Sequence, residues 1–253
     1  MVDHGTHLME DIMISAKMNN EAYDPKREYA LEELKSQGLI EDAWDAVSLF
    51  ENAMAEYTGS KFAIAIDNCT DALYLCLKYL KCDSSDVITI PKKTYCSIPM
   101  LIHNAGCNYK FGDISWSGCY QLSPLPVYDY ALRLRKGMYK EGTFQCLSFH
   151  RKKILKLTKG GMILTDNEEA ANWFKAMRAK GRHPHEKTFY TDESFDVMGW
   201  NMYMHPEDAA KGYLIFKQLP DFNEDAGGDT SYIDLSKQEI FIKNEKCLLI
   251  RNK

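Results

Sequence analysis

Between residues 41 and 179 the chain alternates two hydrophobic rhythms. From Glu41 to Tyr57 the apolar residues Ala43, Val47, Leu49, Phe50, Met54 and Ala55 recur at helical spacing, and Gly59 follows as a stop signal. FAIAI (62–66) is a short, fully apolar run that predicts a buried strand. TDALYLCLKYL (70–80) predicts a helix capped by Asn68 or Thr70. VITI (87–90) predicts the next strand, SIPMLIHNAG (97–106) the next helical turns, and NYKFGDI (108–114) another strand. PVYDYA (126–131), TFQCLSFH (143–150) and GGMILT (160–165) are strand-like, and a helix follows from Glu168 to Ala179.

Buried strands alternating with helices predict an α/β fold, a mainly parallel sheet flanked by helices. Ligands on such sheets sit beyond the carboxyl ends of the strands. That rule nominates Asn68–Thr70, Thr94–Tyr95, Asp129 and Ser148–Lys153 for one crevice. Residues 1–40 are charged and mixed and read as an N-terminal arm. Residues 41–220 read as the α/β domain, and 221–253 as a short C-terminal tail or remnant of a small domain.

Composition narrows the function. The 253 residues are 45% hydrophobic and 26% charged, ordinary for a globular protein. No apolar run approaches a membrane span, and the MVDHGTHLMED start is too acidic and polar for a secretory signal, so a cytoplasmic protein without membrane partners is expected. With 31 basic and 36 acidic residues interspersed, net charge −5, there is no basic face for nucleic acid. The eight cysteines form no C-x-x-C pair, and His4/His7 and His183/His185 are weak spacings, so no metal site is expected.

Each crevice segment has a plain reading beside a chemical one. The NCTDAL turn opens a helix whose free N–H groups suit an anion, although Asn and Thr cap helices widely. Asp129 ends a buried strand in VYDYA and needs a partner, because an isolated buried charge is costly. A protonated ring nitrogen or Arg133 would supply one. Tyr95 could lie against a flat ligand or pack in the core. Ser148 ends the strand QCLSF, pointing into the crevice or into a turn. SFHRKKILKLTKGG (148–161) is either a solvated basic loop or one in which a single lysine does chemistry.

The order of these segments resembles the DegT/DnrJ/EryC1/StrS family of pyridoxal-phosphate (PLP) nucleotide-sugar aminotransferases. The resemblance is carried by FENAMAEYTGSKFAIAIDNCTDALYLCL (50–77), VITIPKKTYCSIPMLIHNAGCNYKFGDI (87–114), VYDYA (127–131), LSFHRKKILKLTKGGMILTDNEE (147–169) and GWNMYMHPEDAAKGYLIFKQL (199–219). It implies fold type I, with a mainly parallel seven-stranded-type sheet. It implies that Lys153, five residues beyond Ser148 and followed by Gly160 and Gly161, forms the covalent link to PLP, with Lys152 as the rival. Asp129 would pair with the pyridine nitrogen and Tyr95 would stack on the ring. Asn68, Cys69, Thr70 and Ser148 would line the phosphate, which Asn201 would reach from the neighbouring subunit of a homodimer with a shared active site.

The sequence departs from that pattern. Asn68 and Cys69 stand where the family has Ser and Gly, and Leu132 stands where it has Gln or His. Only SWSGCYQLSPLP separates GDI (112–114) from VYDYA, a loss of about one strand–helix unit, and the C-terminal small domain is mostly absent. The implied activity is transfer of an amino group from an amino acid, such as glutamate, to a nucleotide-linked keto-sugar. The alternatives are another PLP-dependent sugar-modifying reaction, such as dehydration, or a catalytically silent binding or assembly protein on the same fold.

Overall fold

The computed structural model describes residues 25–182, 195 and 197–251, with the side chains of 25–28 and 246–251 left aside. The two histidine pairs weighed as metal ligands, His4/His7 and His183/His185, lie outside the described residues.

Helix α1 (Pro25–Ser36) occupies part of the stretch read as an N-terminal arm. It buries Ala30 and Leu34 against Ala46 and Ala210. Helix α2 (Asp45–Thr58) begins later than the apolar spacing suggests. The Asp45 carboxylate accepts hydrogen bonds from the Glu41 and Asp42 N–H groups, closing a turn that must precede the helix. Its end is set by Gly59 at φ 82°, whose N–H reaches the Ala55 carbonyl.

Strand β1 (Phe62–Ile66), helix α3 (Cys69–Tyr79), strand β2 (Val87–Pro91), helix α4 (Ser97–Asn104) and strand β3 (Asn108–Gly112) follow the predicted pattern closely. Then come β4 (Tyr120–Gln121), β5 (Val127–Asp129), β6 (Phe144–Ser148), β7 (Gly161–Thr165) and α5 (Glu168–Arg178). The described chain continues with α6 (Pro206–Phe216) and α7 (Glu239–Arg251).

Five strands form one sheet in the order β1-β7-β6-β5-β4, and β2 and β3 form a parallel pair beside it. A single antiparallel bridge, Thr89 with Ser123, joins the two, with N–H to carbonyl distances of 2.7 and 3.1 Å in the two directions. β4 is antiparallel to β5, so this bridge makes β2 run with β5. Strands β1, β2, β3, β5 and β6 therefore share one direction, and only β7 and β4 run against them. This is the mainly parallel sheet of fold type I. At the place of the absent strand–helix unit, two residues of β4 fill the gap between β2 and β5.

Helices cover both faces. On one, Leu73, Leu75, Cys76 and Leu77 of α3 pack with Ile98 and Ile102 of α4 and Phe174 of α5. On the other, Val47, Phe50 and Met54 of α2 pack with Ala63, Met162 and Leu164. A fully buried Leu or Ile contributes about 1.5–3 kcal/mol relative to its exposed state, so these two layers carry the fold. They are pinned by a buried ion pair: Glu51 on α2 takes Arg178 on α5, while Glu51 also accepts the Ala65 N–H at 2.8 Å and Arg178 donates to the Ala65 carbonyl at 2.6 Å. Among the described residues, no helix is long and apolar enough to cross a membrane.

Candidate active site

The carboxyl ends of the co-directional strands meet where α3 begins. Asn68 caps that helix, its side-chain oxygen accepting the Asp71 N–H at 2.9 Å. Its amide also donates to Asp67 at 3.0 Å and Asp71 at 2.7 Å. The turn lies directly on β7: a Cβ at Gly161 would stand 2.4 Å from the Asn68 carbonyl carbon and 2.5 Å from the Cys69 nitrogen. Only a residue without a side chain lets the first turn of α3 settle there. Thr70 follows Cys69, and its hydroxyl shares a hydrogen bond with Ser97 at the start of α4, 2.8 Å away. The helix start thus presents its first N–H groups beside two hydroxyls, a setting suited to an anion.

Asp129, at the end of β5, is 6% exposed. It accepts the Tyr120 hydroxyl at 3.0 Å and the Ala131 N–H at 2.8 Å. The Tyr120 hydroxyl in turn lies 2.6 Å from Thr94. Burial raises the Asp129 pKa, while the Ala131 N–H, Tyr120 and the positive charge of Lys153 act in the opposite sense without cancelling it. Arg133 is not its partner. That guanidinium makes two hydrogen bonds to Asp225, at 2.8 and 2.6 Å.

Lys153 sits in the loop between β6 and β7 and is half-buried, whereas Lys152 is exposed. The loop is folded back by Lys153 N–H donation to the His150 carbonyl at 2.8 Å. Burial lowers the Lys153 pKa, with Asp129 and Cys69 opposing the shift and Lys152 adding to it. Lysine and carboxyl group are therefore both pushed toward their neutral forms. Cys69, buried against the Cys146 carbonyl, has its thiol pKa raised by burial and by Asp129. It packs as a small apolar group, not as a nucleophile.

The other nominated residues are more dispersed. Tyr95 is 56% exposed and touches Tyr232. Ser148, half-buried at the end of β6, pairs in register with Gly161. It also lines a small cavity with Tyr130, Ala131 and Ile154. Asn201 is exposed and lines a different, polar cavity with Asp67, Lys159, Tyr203 and His205. Leu132, which stands where the resembled family has Gln or His, is buried.

Tyr120, Ser97, Trp116 and Tyr232 join this region without having been nominated from sequence. Ser97 carried a weak signal as a hydroxyl at a predicted helix start. Tyr120 lay in a segment without usable periodicity, and Tyr232 reaches the region only through tertiary structure.

The family model described as DegT/DnrJ/EryC1/StrS aminotransferase matches residues 22–125 and 135–233. A spore coat polysaccharide biosynthesis protein of Bacillus subtilis, SpsC, is 24% identical over 239 residues, covering 73% of this chain and 61% of the relative. A GDP-perosamine synthase of Caulobacter vibrioides is 24% identical over 229 residues, covering 74% and 60%. Among solved structures, a Bacillus subtilis protein (NtdA) with bound cofactor PMP superposes with a TM-score of 0.57 at 19% identity, covering 76% of this chain and 52% of that one. The chain thus spans about three fifths of the length of these curated relatives.

Proposed function

Because the chain belongs to the DegT/DnrJ/EryC1/StrS aminotransferase family, we propose that it is a PLP-dependent aminotransferase acting on a keto-sugar. The observation that carries this reading is the convergence of half-buried Lys153, buried Asp129 and the start of α3 at the carboxyl ends of the strands.

The residues present fit the cofactor chemically. A buried carboxyl group in need of a cationic partner suits a protonated pyridine nitrogen. The α3 N-terminus with Thr70 and Ser97 suits a phosphate, and a desolvated lysine suits an aldehyde. Bound PLP supplies an electron sink for the carbanion left when a substrate loses a proton.

The chain's own groups then divide the work. Lys153 Nζ, whose pKa burial lowers, is the nucleophile and afterwards takes and returns the proton at the substrate carbon. Asp129, oriented by Tyr120 and the Ala131 N–H, favours the charged form of the ring nitrogen. Tyr120 is itself held by Thr94. Asn201, exposed on its own protomer, is suited to reach a second copy's site, so the working unit in this reading is a homodimer. The net reaction exchanges an amino group for a ketone oxygen between two substrates and needs no external oxidant or reductant. Glutamate as donor and a nucleotide-linked keto-sugar as acceptor are the substrates proposed, in keeping with the sugar-building relatives named above.

The test is a half-reaction. PLP-loaded protein given glutamate should release 2-oxoglutarate in amounts matching the bound cofactor, and a nucleotide-linked keto-sugar should then be aminated. Retained PLP with no keto acid would overturn the assignment. That outcome would favour the second reading, a silent binding or assembly protein on the same fold.

A further inference from the structure

The C-terminal segment 227–236 is fastened across the strand ends on both sides of Tyr232. Before it, Gly228 bridges Ser117 and the Asp229 N–H reaches the Trp116 carbonyl at 3.1 Å. A Cβ at Gly228 would stand 2.3 Å from that carbonyl oxygen, so the segment lies flush on the loop. After it, Asp234 bridges Lys93, the Leu235 N–H reaches the Lys92 carbonyl at 2.8 Å, and Leu235 is buried. Between these anchors the neighbouring Ile233 is 66% exposed, whereas Tyr232 turns inward.

The Tyr232 ring stacks on Trp116 at 5.8 Å and 24° and meets Tyr95 edge-on at 6.4 Å. Trp116 in turn packs on Tyr120, the residue bound to Asp129, with ring centroids 4.7 Å apart. The Tyr232 phenol is pushed up to about 12, by burial first and then by the nearby Asp129 carboxyl group, so it stays neutral at physiological pH. Ring contacts thus link Tyr232 through Trp116 to Tyr120, whose hydroxyl holds Asp129.

We infer that Tyr232 is a cofactor-contacting residue of this chain, a second aromatic wall that the C-terminal segment brings to the site of Lys153 and Asp129. The inference rests on the PLP reading above. A flat heteroaromatic ring laid against the Tyr95–Tyr232 pair gains offset or edge-to-face contacts with both. In this reading the wall limits water at the site, acting in the same sense as the burial that lowers the Lys153 pKa.

The test measures PLP affinity by absorbance titration and borohydride-trapped label on Lys153 in full-length wild-type protein, Tyr232→Phe, Tyr232→Leu, Tyr232→Ala and Ile233→Ala. Tyr232→Phe and Ile233→Ala should bind as wild type does. Tyr232→Leu and Tyr232→Ala should bind roughly tenfold more weakly, the loss expected for one aromatic pair. In both, the pH midpoint for trapping should rise as the lysine becomes hydrated. Tyr232→Leu keeps apolar bulk and guards against a variant that merely unfolds. Unchanged or tighter binding in Tyr232→Leu, beside a labelled wild type, would overturn this inference alone, tighter binding meaning that Tyr232 plugs the site. A wild type that takes no label on Lys153 would remove the PLP reading and this inference with it.

Discussion

Tyr120 donates its hydroxyl to Asp129 at 3.0 Å from the residue directly opposite it in the β4–β5 register. The short strand that fills the gap in the sheet therefore also orients the buried carboxyl group of the site. Shortening the chain and keeping Asp129 supported are one structural solution. A second strand residue, Gln121, holds the turn by donating to the Leu125 carbonyl at 2.7 Å.

That burial has a pH signature. The folded-state pKa of Asp129 is raised, so its contribution to stability is fully present below the unfolded carboxylate value. It is lost as pH rises through the folded value. Asp129→Asn removes this dependence while keeping an oxygen for the Ala131 N–H. We expect the cofactor-free variant to be at least as stable as wild type at neutral pH in urea denaturation, with a flatter stability profile in acid. The same variant should lose most amino-group exchange. A variant clearly less stable at neutral pH would show that the carboxylate is paired better than its surroundings indicate.

Gly161 gives a purely steric prediction. Gly161→Ala places a methyl group within 2.5 Å of the Cys69 nitrogen, where backbone must move. Overpacking of this kind costs about 1–3 kcal/mol. Thermal unfolding should show that loss together with weaker phosphate binding, since the α3 start is displaced. A variant with wild-type stability would mean that the turn does not lie on β7 as described.

Asn201 tests the proposed shared site. Asn201→Ala should weaken PLP retention in dilution and dialysis without shifting the unfolding temperature, because the side chain is exposed on its own protomer. Mixing Asn201→Ala with Lys153→Ala protein should restore retention in a fraction of sites if the two residues serve one site across a dimer. Unchanged retention in the single variant would count against that role.

Much of this was legible from patterning. The runs at 62–66 and 143–150 and the helical stretches at 70–80 and 168–179 are recovered as elements within one or two residues at each end. The strand-end rule nominated Asn68–Thr70, Thr94–Tyr95, Asp129 and Ser148–Lys153 for one crevice. What escaped has physical causes. β4 is two residues long in a segment rich in Ser, Pro and Gly, too short for any periodicity to register. Helix α1 is half charged, and its small buried face, Ala30 and Leu34, has meaning only against α2 and α6. Tyr232 lies more than a hundred residues from Asp129, in a tail whose polar composition gives no hint that one of its side chains turns inward.

The central claim is that Lys153, among the five basic residues of its loop, is the cofactor lysine. Purified protein incubated with PLP, reduced with borohydride and digested for peptide mapping tests it most directly. The account predicts a visible absorbance band and a label on Lys153, both lost in Lys153→Ala and both kept in Lys152→Ala. A label on Lys152, or none on any lysine, would contradict it.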